Sequence, residues 1–340
     1  MPATCRRTLV SMRQMNRAIR IHATGGPECL QLDEVPVPVP QRGEVLLRHV
    51  AIGVNFLDCY HRSGLYPLPA LPSGIGSEAV GVVEQIGDGV RGVQIGDRVG
   101  YAGGVTPGAY ADIRTVPAWR LVPIPRAVED VPAAAVLLKG LTAEYLVRRT
   151  FKVGPSHRVL VHAAGGGVGL LLCQWLHHLG AFVFGTVSTE TKAELAAANG
   201  CHHPIVTSRE DFVEVVKRIT KEKGVDVVYD SVGKDTLDGS MRCLKPRGLL
   251  VSFGNSSGVV RAVKPSELQQ AGSLFLTRPV LQDYTSTRQE LLRAAEVMFG
   301  LVQSGVLRPR IDATFPLAEA AEAHRRLEAR QSTGAMVLLP

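Results

Sequence analysis

Residues 159–180 read VLVHAAGGGVGLLLCQWLHHLG, an apolar strand that passes through a tight glycine turn into an amphipathic helix. Gly180 is placed to end that helix. Gly166 and Gly169 lie three positions apart in the turn, and Ala164 stands where the first glycine of a Gly-x-Gly-x-x-Gly pattern would be. Because such a turn presents backbone N–H groups at a helix N-terminus, the stretch predicts a cradle for the pyrophosphate of a dinucleotide. The alternative is a turn that only packs the helix on its strand.

The residues after the helix indicate which dinucleotide the cradle takes. A second strand, AFVFGTV at 181–187, follows directly and completes a βαβ unit. An NAD enzyme carries an acid near the end of this strand, whereas this chain has Ser188, Thr189 and, one helical turn on, Lys192. Hydroxyl groups and a cation favour a 2′-phosphate, and hence NADPH. The alternative is that Ser188 or Thr189 only caps the next helix and Lys192 is solvated.

The pattern of the chain changes twice along its length. Residues 15–138 form short strands broken by Gly and Pro, which is typical of a β-barrel domain. Residues 139–280 alternate strands with helices, which predicts a doubly wound parallel sheet and an α/β fold. Residues 281–340 contain two helices, predicted at about 287–303 and 317–329, and a last strand that is consistent with a return to the first domain.

Strands of the doubly wound part are predicted at 158–163, 181–187, 203–206, 225–230 and 248–253. The last two end in small polar residues at the carboxyl edge, where such sheets bind ligands. The residues expected to border the cofactor there are Ser231, Gly233, Phe253 and Asn255.

Composition bounds the class of protein. The chain has 340 residues, 45% hydrophobic content and a net charge of +7, and no apolar run approaches the ~18 to 20 residues of a membrane span. Its six cysteines include no Cys-x-x-Cys pair, which suggests a reducing compartment. Residues 1–14 hold three arginines and no acid, so they predict either a mitochondrial transit peptide or an N-terminal tail. We expect a cytoplasmic protein.

Eight segments, in order, resemble one family: the zinc-independent quinone oxidoreductases of the medium-chain dehydrogenase/reductase superfamily, which include ζ-crystallin. The resemblance covers residues 15–340. It implies a GroES-like barrel as the catalytic domain, built from both ends of the chain, a Rossmann domain between them, and a homodimer paired through the Rossmann sheet edge. The segments are GGPE (25–28), NFLDCYHRSGLYP (55–67), PSGIGSEAVGVVEQIG (72–87), GDRV (96–99), LKGLTA (138–143), HAAGGGVG (162–169), YDSVG (229–233) and VSFGNSSG (251–258).

The resemblance also implies positions for the cofactor and the substrate. The phosphates would lie on Gly166, Gly167 and Val168, and the 2′-phosphate on Ser188 and Lys192. Asn55 and Lys139 would meet the nicotinamide ribose, with the substrate over the nicotinamide near Tyr60 and Tyr66. Thr207 departs from similar bacterial chains, which carry a tyrosine near the adenosine phosphate. The remaining implied contacts are Phe253 and Asn255 beside the nicotinamide, Thr277 at its edge, and Arg330.

The residues argue against zinc. Zinc alcohol dehydrogenases carry a cysteine near position 55 and a Gly-His-Glu motif, whereas this chain has Asn55 and the triplet Gly76, Ser77, Glu78. The four-cysteine structural lobe is also missing, because no cysteine lies between Cys59 and Cys173. No metal site is therefore predicted, and the histidine pairs are interpreted as surface or packing residues.

Without a metal or an obvious nucleophile, the chemistry is expected to come from the cofactor, and the protein aligns it with an acceptor. A quinone suits this arrangement, with Tyr60, Tyr66 or Asn55 donating hydrogen bonds to the developing oxyanion. The sequence therefore predicts NADPH-dependent quinone reduction. Two alternatives stay open: reduction of α,β-unsaturated ketones or aldehydes, and, more remotely, an RNA-binding or structural role. RNA is disfavoured because aromatics make up only 5% of the chain.

Overall fold

A computed structural model describes residues 15–340, and the N-terminal part of this range forms a β-barrel. A seven-stranded sheet has the order β15-β16-β3-β5-β6-β8, with β7 paired to β3, and a three-stranded sheet has the order β2-β1-β4. The elements up to residue 123 are β1 Met15–Ile21, β2 Leu30–Pro36, β3 Glu44–Val54, α1 Phe56–Ser63, β4 Ser73–Gly74, β5 Glu78–Ile86, β6 Arg98–Ala102, β7 Ile113–Pro117 and β8 Val122–Pro123.

The middle of the chain forms one parallel sheet of six strands, in the order β11-β10-β9-β12-β13-β14. Counted along the chain this is 3-2-1-4-5-6, the order of a dinucleotide-binding Rossmann sheet. Its elements are α2 Asp130–Tyr145, β9 Arg158–Val161, α3 Gly167–His178, β10 Phe182–Val187, α4 Glu190–Ala198, β11 His203–Val206, α5 Phe212–Thr220, β12 Val225–Asp230, α6 Leu237–Cys243, β13 Leu244–Ser252, α7 Pro265–Gln270 and β14 Phe275–Thr277.

The C-terminal part returns to the barrel. Strand β16 pairs with β3, where Met336 lies opposite Val54, so residues from both ends of the chain share one sheet. The remaining elements are α8 Leu281–Tyr284, α9 Arg288–Gln303, β15 Ile311–Pro316, α10 Ala320–Glu328 and β16 Ala335–Leu339. Shorter turns are the 3₁₀ helices Pro27–Cys29, Ala118–Arg120 and Leu317–Glu319, and a π-helical turn at Leu146–Thr150. The GroES-like barrel and the Rossmann sheet that the sequence predicts are confirmed.

Three details differ from the sequence-based expectation. The sheet has a sixth strand, β14, and β13 begins at Leu244 rather than at 248. The helix expected at 317–329 is a 3₁₀ turn followed by α10. Helix α2 runs continuously through the boundary that we place at 138/139, so the domain limits remain a proposal. The charged extension 1–14 lies outside the described residues.

Helix α2 is the element that both halves share. Its residues Ala133–Leu138 are buried in a core that includes Val80 and Ala102 of the barrel and Val159 and Val161 of the Rossmann sheet. Apolar contacts on both sides fix the helix between the two layers. The polar residue that follows on α2, Lys139, is therefore held at the junction of the domains. None of the helices in residues 15–340 is long and apolar enough to span a membrane.

Candidate cofactor and substrate cleft

A cleft crosses the carboxyl edge of the Rossmann sheet and is closed on its other side by the barrel. It consists of two adjoining cavities of about 510 and about 750 Å³, and Gly166 lines both. The predicted residues that line the first cavity are Asn55, Tyr60, Tyr66, Lys139, Gly166, Gly167, Val168, Ser231 and Phe253. Those that line the second are Gly166, Ser188, Lys192, Thr207 and Arg330. This is where an open α/β sheet binds a dinucleotide, since β9 and β12 flank the switch in strand order.

The glycine turn has the geometry of a phosphate cradle. Gly166 is the N-cap of α3, in extended backbone with φ −88° and ψ 173°, and a Cβ built on it would meet only the Ala163 oxygen, at 3.3 Å. A Cβ on Gly169 would lie 2.2 Å from that same oxygen and 2.8 Å from the Ala164 Cα. Gly169 therefore allows the helix to pack on its strand, whereas Gly166 faces the cleft. The packing interpretation therefore describes Gly169, and the cradle stays a prediction for Gly166.

The second cavity carries the cations expected for a 2′-phosphate. Lys192 Nζ donates to the Arg330 carbonyl at 2.6 Å, and burial lowers the pKa of Lys192. Thr207 Oγ1 donates to the Val187 carbonyl at 3.2 Å. Its side chain does not supply the aromatic surface that a tyrosine would offer at this position. Two further arginines, Arg209 and Arg242, line this cavity and were missed because no motif marks them.

Thr189 lies outside the lining of both cavities. It is the N-cap of α4, where its side chain accepts a hydrogen bond from Lys192 N at 3.3 Å. Its hydroxyl therefore does what the capping alternative expected, and Ser188 is the hydroxyl that faces the cavity.

Thr277 and Asn255 also do not line either cavity. Thr277 ends β14 and is paired with Val251 in the sheet. Its neighbour Arg278, the first residue after the strand, lines the first cavity instead. Asn255 touches the site through its backbone, since its N–H donates to the Tyr60 hydroxyl at 2.8 Å.

A buried ion pair holds Lys139 at the floor of the first cavity. Its ammonium donates to the Val54 carbonyl at 3.2 Å, to Asn55 Oδ1 at 2.8 Å and to Glu78 Oε1 at 3.2 Å. Glu78 is fully buried and also accepts from Asn55 Nδ2 at 2.8 Å and from Leu138 N at 2.6 Å. An ammonium has three donors, and all three are used here. The pair therefore fixes Asn55 and Lys139 relative to each other.

A second buried network fixes the helix that carries Tyr60. Asp58 accepts from Ser77 Oγ at 2.6 Å and from the Tyr110 hydroxyl at 3.0 Å, and burial raises the pKa of Asp58 to about 6. His324 lies 3.1 Å from the same hydroxyl and 3.2 Å from the Arg62 guanidinium. Tyr110 has one hydrogen, which goes to Asp58, so His324 Nε2 donates and its Nδ1 accepts from Arg62. Burial and Arg62 lower the pKa of His324 to about 3.

These groups give a pH dependence of stability. His324 and His49 both have a pKa lowered to about 3 by burial, below the ordinary value of 6.5, so acid protonates the unfolded chain first and removes stability. Asp58, raised from 3.8 to about 6, has the opposite sign and is most stabilising in acid. At about pH 5 these three groups alone make the unfolded chain bind about one proton more than the native protein, a stability loss of about 1.4 kcal/mol per pH unit of acidification. Burial also lowers the pKa of His61, His162 and His202, which adds to the loss.

His324→Gln should reduce that slope by about 1.4 kcal/mol per pH unit, because it removes one histidine that is protonated only in the unfolded chain. The measurement is the free energy of unfolding in urea between pH 4.5 and 5.5 for both chains. The comparison depends on slopes, so a lower absolute stability of the variant does not affect it. An unchanged slope would show that His324 is protonated in the native protein.

A third network lies beneath the loop that follows β12. Asp230 Oδ1 accepts from Val232 N at 2.8 Å and Gly233 N at 3.0 Å, and Oδ2 accepts from Ser240 Oγ at 3.0 Å. His162 Nε2 lies 2.9 Å from the same serine hydroxyl, whose hydrogen goes to Asp230, so His162 is the donor. Burial lowers the pKa of His162, which agrees with a neutral ring. The network anchors the loop carrying Ser231, and no local signal in the sequence marks it.

Comparison with known proteins identifies the group to which this cleft belongs. Residues 41–126 match the alcohol dehydrogenase GroES-like domain, and residues 199–338 match the zinc-binding dehydrogenase family model. A quinone oxidoreductase of Pseudomonas aeruginosa is 48% identical over 326 residues, covering 96% of this chain and 100% of its own. The chain belongs to the quinone oxidoreductase family. The resemblance deduced from the ordered segments is thereby confirmed.

Two further members of this family bear on the cofactor and the substrate. The crystal structure of the Escherichia coli quinone oxidoreductase complexed with NADPH has 47% identity and a TM-score of 0.93, and covers 95% of this chain and 100% of that one. A 2-haloacrylate reductase of a Burkholderia species is 48% identical over 334 residues, with 96% of this chain and 99% of its own covered.

Zinc appears in the description of one matching family model, but the described residues offer it no clustered set of ligands. Within residues 15–340 no group of three or more His, Cys, Asp or Glu side chains is placed to hold a metal. At the positions where zinc dehydrogenases are expected to carry ligands, Asn55 contacts Lys139 and Ser77 contacts Asp58. Both side chains are occupied within buried networks.

Dialysis against a strong chelator should therefore leave quinone turnover unchanged. The measurement is the rate before and after dialysis, with metal content determined on the same samples. Loss of activity that returns on addition of zinc would contradict the metal-free interpretation.

Proposed function

We propose that this protein is an NADPH-dependent quinone reductase that works without a metal. The observation that carries the proposal is the pairing of an open glycine turn with a second cavity that four cations line alongside four acids, both continuous with a first cavity that two tyrosines line. The family membership supports it, as does the relative whose structure contains NADPH.

The residues present fit the cofactor. The open side of Gly166 leaves room for a pyrophosphate against the N-terminus of α3, which favours anions. Lys192, Arg209, Arg242 and Arg330 surround the second cavity, so a 2′-phosphate would meet several donors there. Phe253 and Ser231 would border the nicotinamide end. When bound, NADPH supplies the hydride that reduces the acceptor.

The two tyrosines can bind the acceptor oxygen. Tyr60 accepts a hydrogen bond from Asn255 N at 2.8 Å, and Tyr66 accepts one from Arg278 Nη2 at 3.0 Å, so each hydroxyl hydrogen is free to be donated. Burial raises the pKa of Tyr60 to about 12, so it stays protonated at neutral pH and acts as a donor. Such donors stabilise the negative charge that develops on a quinone oxygen.

We assign Asn55 a positioning role rather than the oxyanion contact expected for it. Its amide oxygen accepts from Lys139, and its nitrogen donates to Glu78 at 2.8 Å and lies 3.5 Å from the Gly53 carbonyl. The amide therefore holds Lys139, whose aliphatic stem lies beside Gly167 in the phosphate turn. This placement would bring Lys139 beside the nicotinamide ribose.

The experiment that tests the proposal is a side-by-side turnover assay with NADPH. One reaction contains a neutral quinone such as 1,4-naphthoquinone, and the other an α,β-unsaturated ketone of similar size. We expect faster NADPH oxidation with the quinone. Absence of NADPH oxidation with any quinone tested would reject the proposed function.

Reduction of an activated carbon–carbon double bond is the second candidate. A relative of 48% identity is named a 2-haloacrylate reductase, and its chain is covered almost completely. The same tyrosine donors would stabilise the charge that develops on a carbonyl or carboxylate oxygen when the β-carbon is reduced. Preference for the unsaturated substrate in the same assay would favour this candidate.

We further propose a homodimer that forms through the edge of the Rossmann sheet. Strand β14 pairs with β13 on one side, and Phe275 and Leu276 are 61% and 37% exposed. An exposed apolar edge strand is a template for pairing with a second copy. We expect Phe275→Glu to shift the mass measured by light scattering toward the monomer, while Phe182→Glu, at another exposed phenylalanine, does not. A monomeric parent would contradict the dimer.

For the compartment we propose the cytoplasm. The five cysteines of the described residues, Cys29, Cys59, Cys173, Cys201 and Cys243, are free thiols, which is typical of a reducing environment.

A further inference from the structure

Arg278 is a cation of the first cavity to which the proposed cofactor contacts assign no role. It follows β14 and lines the first cavity together with Tyr60 and Tyr66. None of these three lines the second cavity, to which we assign the 2′-phosphate, and the cradle at Gly166 accounts for the pyrophosphate. The Arg278 charge is therefore available to another ligand, and its position beside the tyrosines places it with the acceptor.

The guanidinium is oriented by neutral groups only. Nη1 donates to Ser252 Oγ at 3.1 Å and to the Gly254 carbonyl at 2.9 Å, and Nη2 donates to the Tyr66 hydroxyl at 3.0 Å. With its amide oxygen toward the arginine, Asn255 accepts a further bond from Nη2 at 3.0 Å. These bonds fix the plane of the guanidinium but neutralise none of its charge. They leave the Nε donor and the adjacent Tyr66 hydroxyl hydrogen without acceptors in residues 15–340.

The charges around the first cavity do not balance. Among the described residues that line it, Lys139 and Arg278 are the cations, and no Asp or Glu is present. Lys139 is paired with the buried Glu78 behind the wall. Arg278 forms no ion pair within the described part of the chain, in contrast to Arg62, which pairs with Glu328 at 2.5 Å. A fixed positive charge beside apolar walls such as Leu138 and Phe253 attracts an anion.

We propose that Arg278, with Tyr66, binds an anionic group on the electron acceptor, so that the enzyme prefers acceptors that carry a carboxylate or sulfonate. This inference rests on the proposed function. A guanidinium whose plane is fixed can meet such a group with directed, charge-assisted hydrogen bonds. Arg278 is then a determinant of specificity for the acceptor, distinct from the contacts with NADPH.

The same contact would assist reduction of an α,β-unsaturated carboxylate. The β-carbon gains a hydride, the carbon–carbon π bond breaks, the α-carbon takes a proton from water, and NADPH is oxidised to NADP⁺. As the π electrons move toward the carboxylate, its negative charge increases, and Arg278 stabilises that increase.

The test compares 1,4-naphthoquinone-2-sulfonate with its neutral parent, 1,4-naphthoquinone, in the full-length protein with NADPH. We expect Arg278→Met to lower kcat/KM for the sulfonate by about ten- to a hundredfold more than for the parent quinone. Arg278→Lys should keep part of the preference because the charge remains. Using the ratio between the two quinones in each variant cancels their different reduction potentials.

Two controls separate binding from other effects. Arg293→Met removes an exposed charge on α9 outside both cavities, so it should leave the ratio unchanged. Naphthalene-2-sulfonate should inhibit the parent protein competitively with the quinone and inhibit Arg278→Met more weakly. An equal effect of Arg278→Met on both quinones would overturn the inference, because Arg278 would then only hold Tyr66 in place. Failure of the parent to oxidise NADPH with either quinone would instead reject the proposed function.

Discussion

Gly166→Val is expected to abolish NADPH binding while leaving the chain folded. The backbone at Gly166, with φ −88° and ψ 173°, is one that valine adopts without strain. Its Cβ would meet only the Ala163 oxygen at 3.3 Å, so the two methyl groups would extend into the cleft where the pyrophosphate is expected. Loss of phosphate contacts worth about 1.5–3 kcal/mol each should weaken Kd by at least about a hundredfold. Fluorescence titration with NADPH measures this directly.

Gly169→Ala is the matched control in the same turn. Its added Cβ would lie 2.2 Å from a backbone oxygen that cannot move away, so the substitution should cost stability, by about 1–3 kcal/mol, through overpacking of α3 on β9. The two variants should therefore differ in what they lose. Gly166→Val should keep its unfolding temperature and lose NADPH binding, whereas Gly169→Ala should lose stability. Unchanged NADPH affinity in Gly166→Val would refute the phosphate cradle.

The Rossmann half of the fold could be predicted because the patterns that indicate it lie within short stretches of sequence. Residues 159–187 contain a complete βαβ unit, with apolar runs, a glycine turn and a terminal glycine in the order that the structure shows. Strand β14 escaped because it has three residues, of which Phe275 and Leu276 are exposed, so no burial pattern marks it. Resemblance to a family supplied the barrel topology, in which β16 pairs with β3 across some 280 residues.

A site residue could be predicted only where a suitable residue type stands at a recognisable position of a motif. The resemblance brought Asn55 and Lys139 to the cleft. The buried Glu78 that joins them lies 23 residues from the first and 61 from the second, contacts that one sequence does not reveal. Thr277 was expected at the cleft, but it is the last residue paired in β14, and Arg278, which follows the strand, lines the cleft. The sequence allowed Thr189 to be either a helix cap or a phosphate ligand, and only the position of its side chain in the structure distinguishes the two roles.

Cofactor choice is the second large effect, and Lys192→Ala is expected to remove most of the preference for NADPH over NADH. Lys192 lines the second cavity, where no acid stands at the end of β10 to repel a phosphate. A charge-assisted contact contributes about 1.5–3 kcal/mol, so kcat/KM for NADPH should fall about tenfold to a hundredfold, and that for NADH should change little.

The surroundings of Lys192 decide how far the effect can be assigned to it. Its Nζ already donates to the Arg330 carbonyl at 2.6 Å, so the phosphate would share the ammonium with that oxygen. Arg209, on the same cavity, is paired with Glu190 on α4, which reduces its capacity to replace the lysine. Arg209→Ala is therefore the matched control, with a smaller expected loss for NADPH. Equal use of NADPH and NADH by the parent would contradict the predicted preference. Equal weakening of both cofactors by Lys192→Ala would show that the lysine supports the shape of the cavity and does not bind the 2′-phosphate.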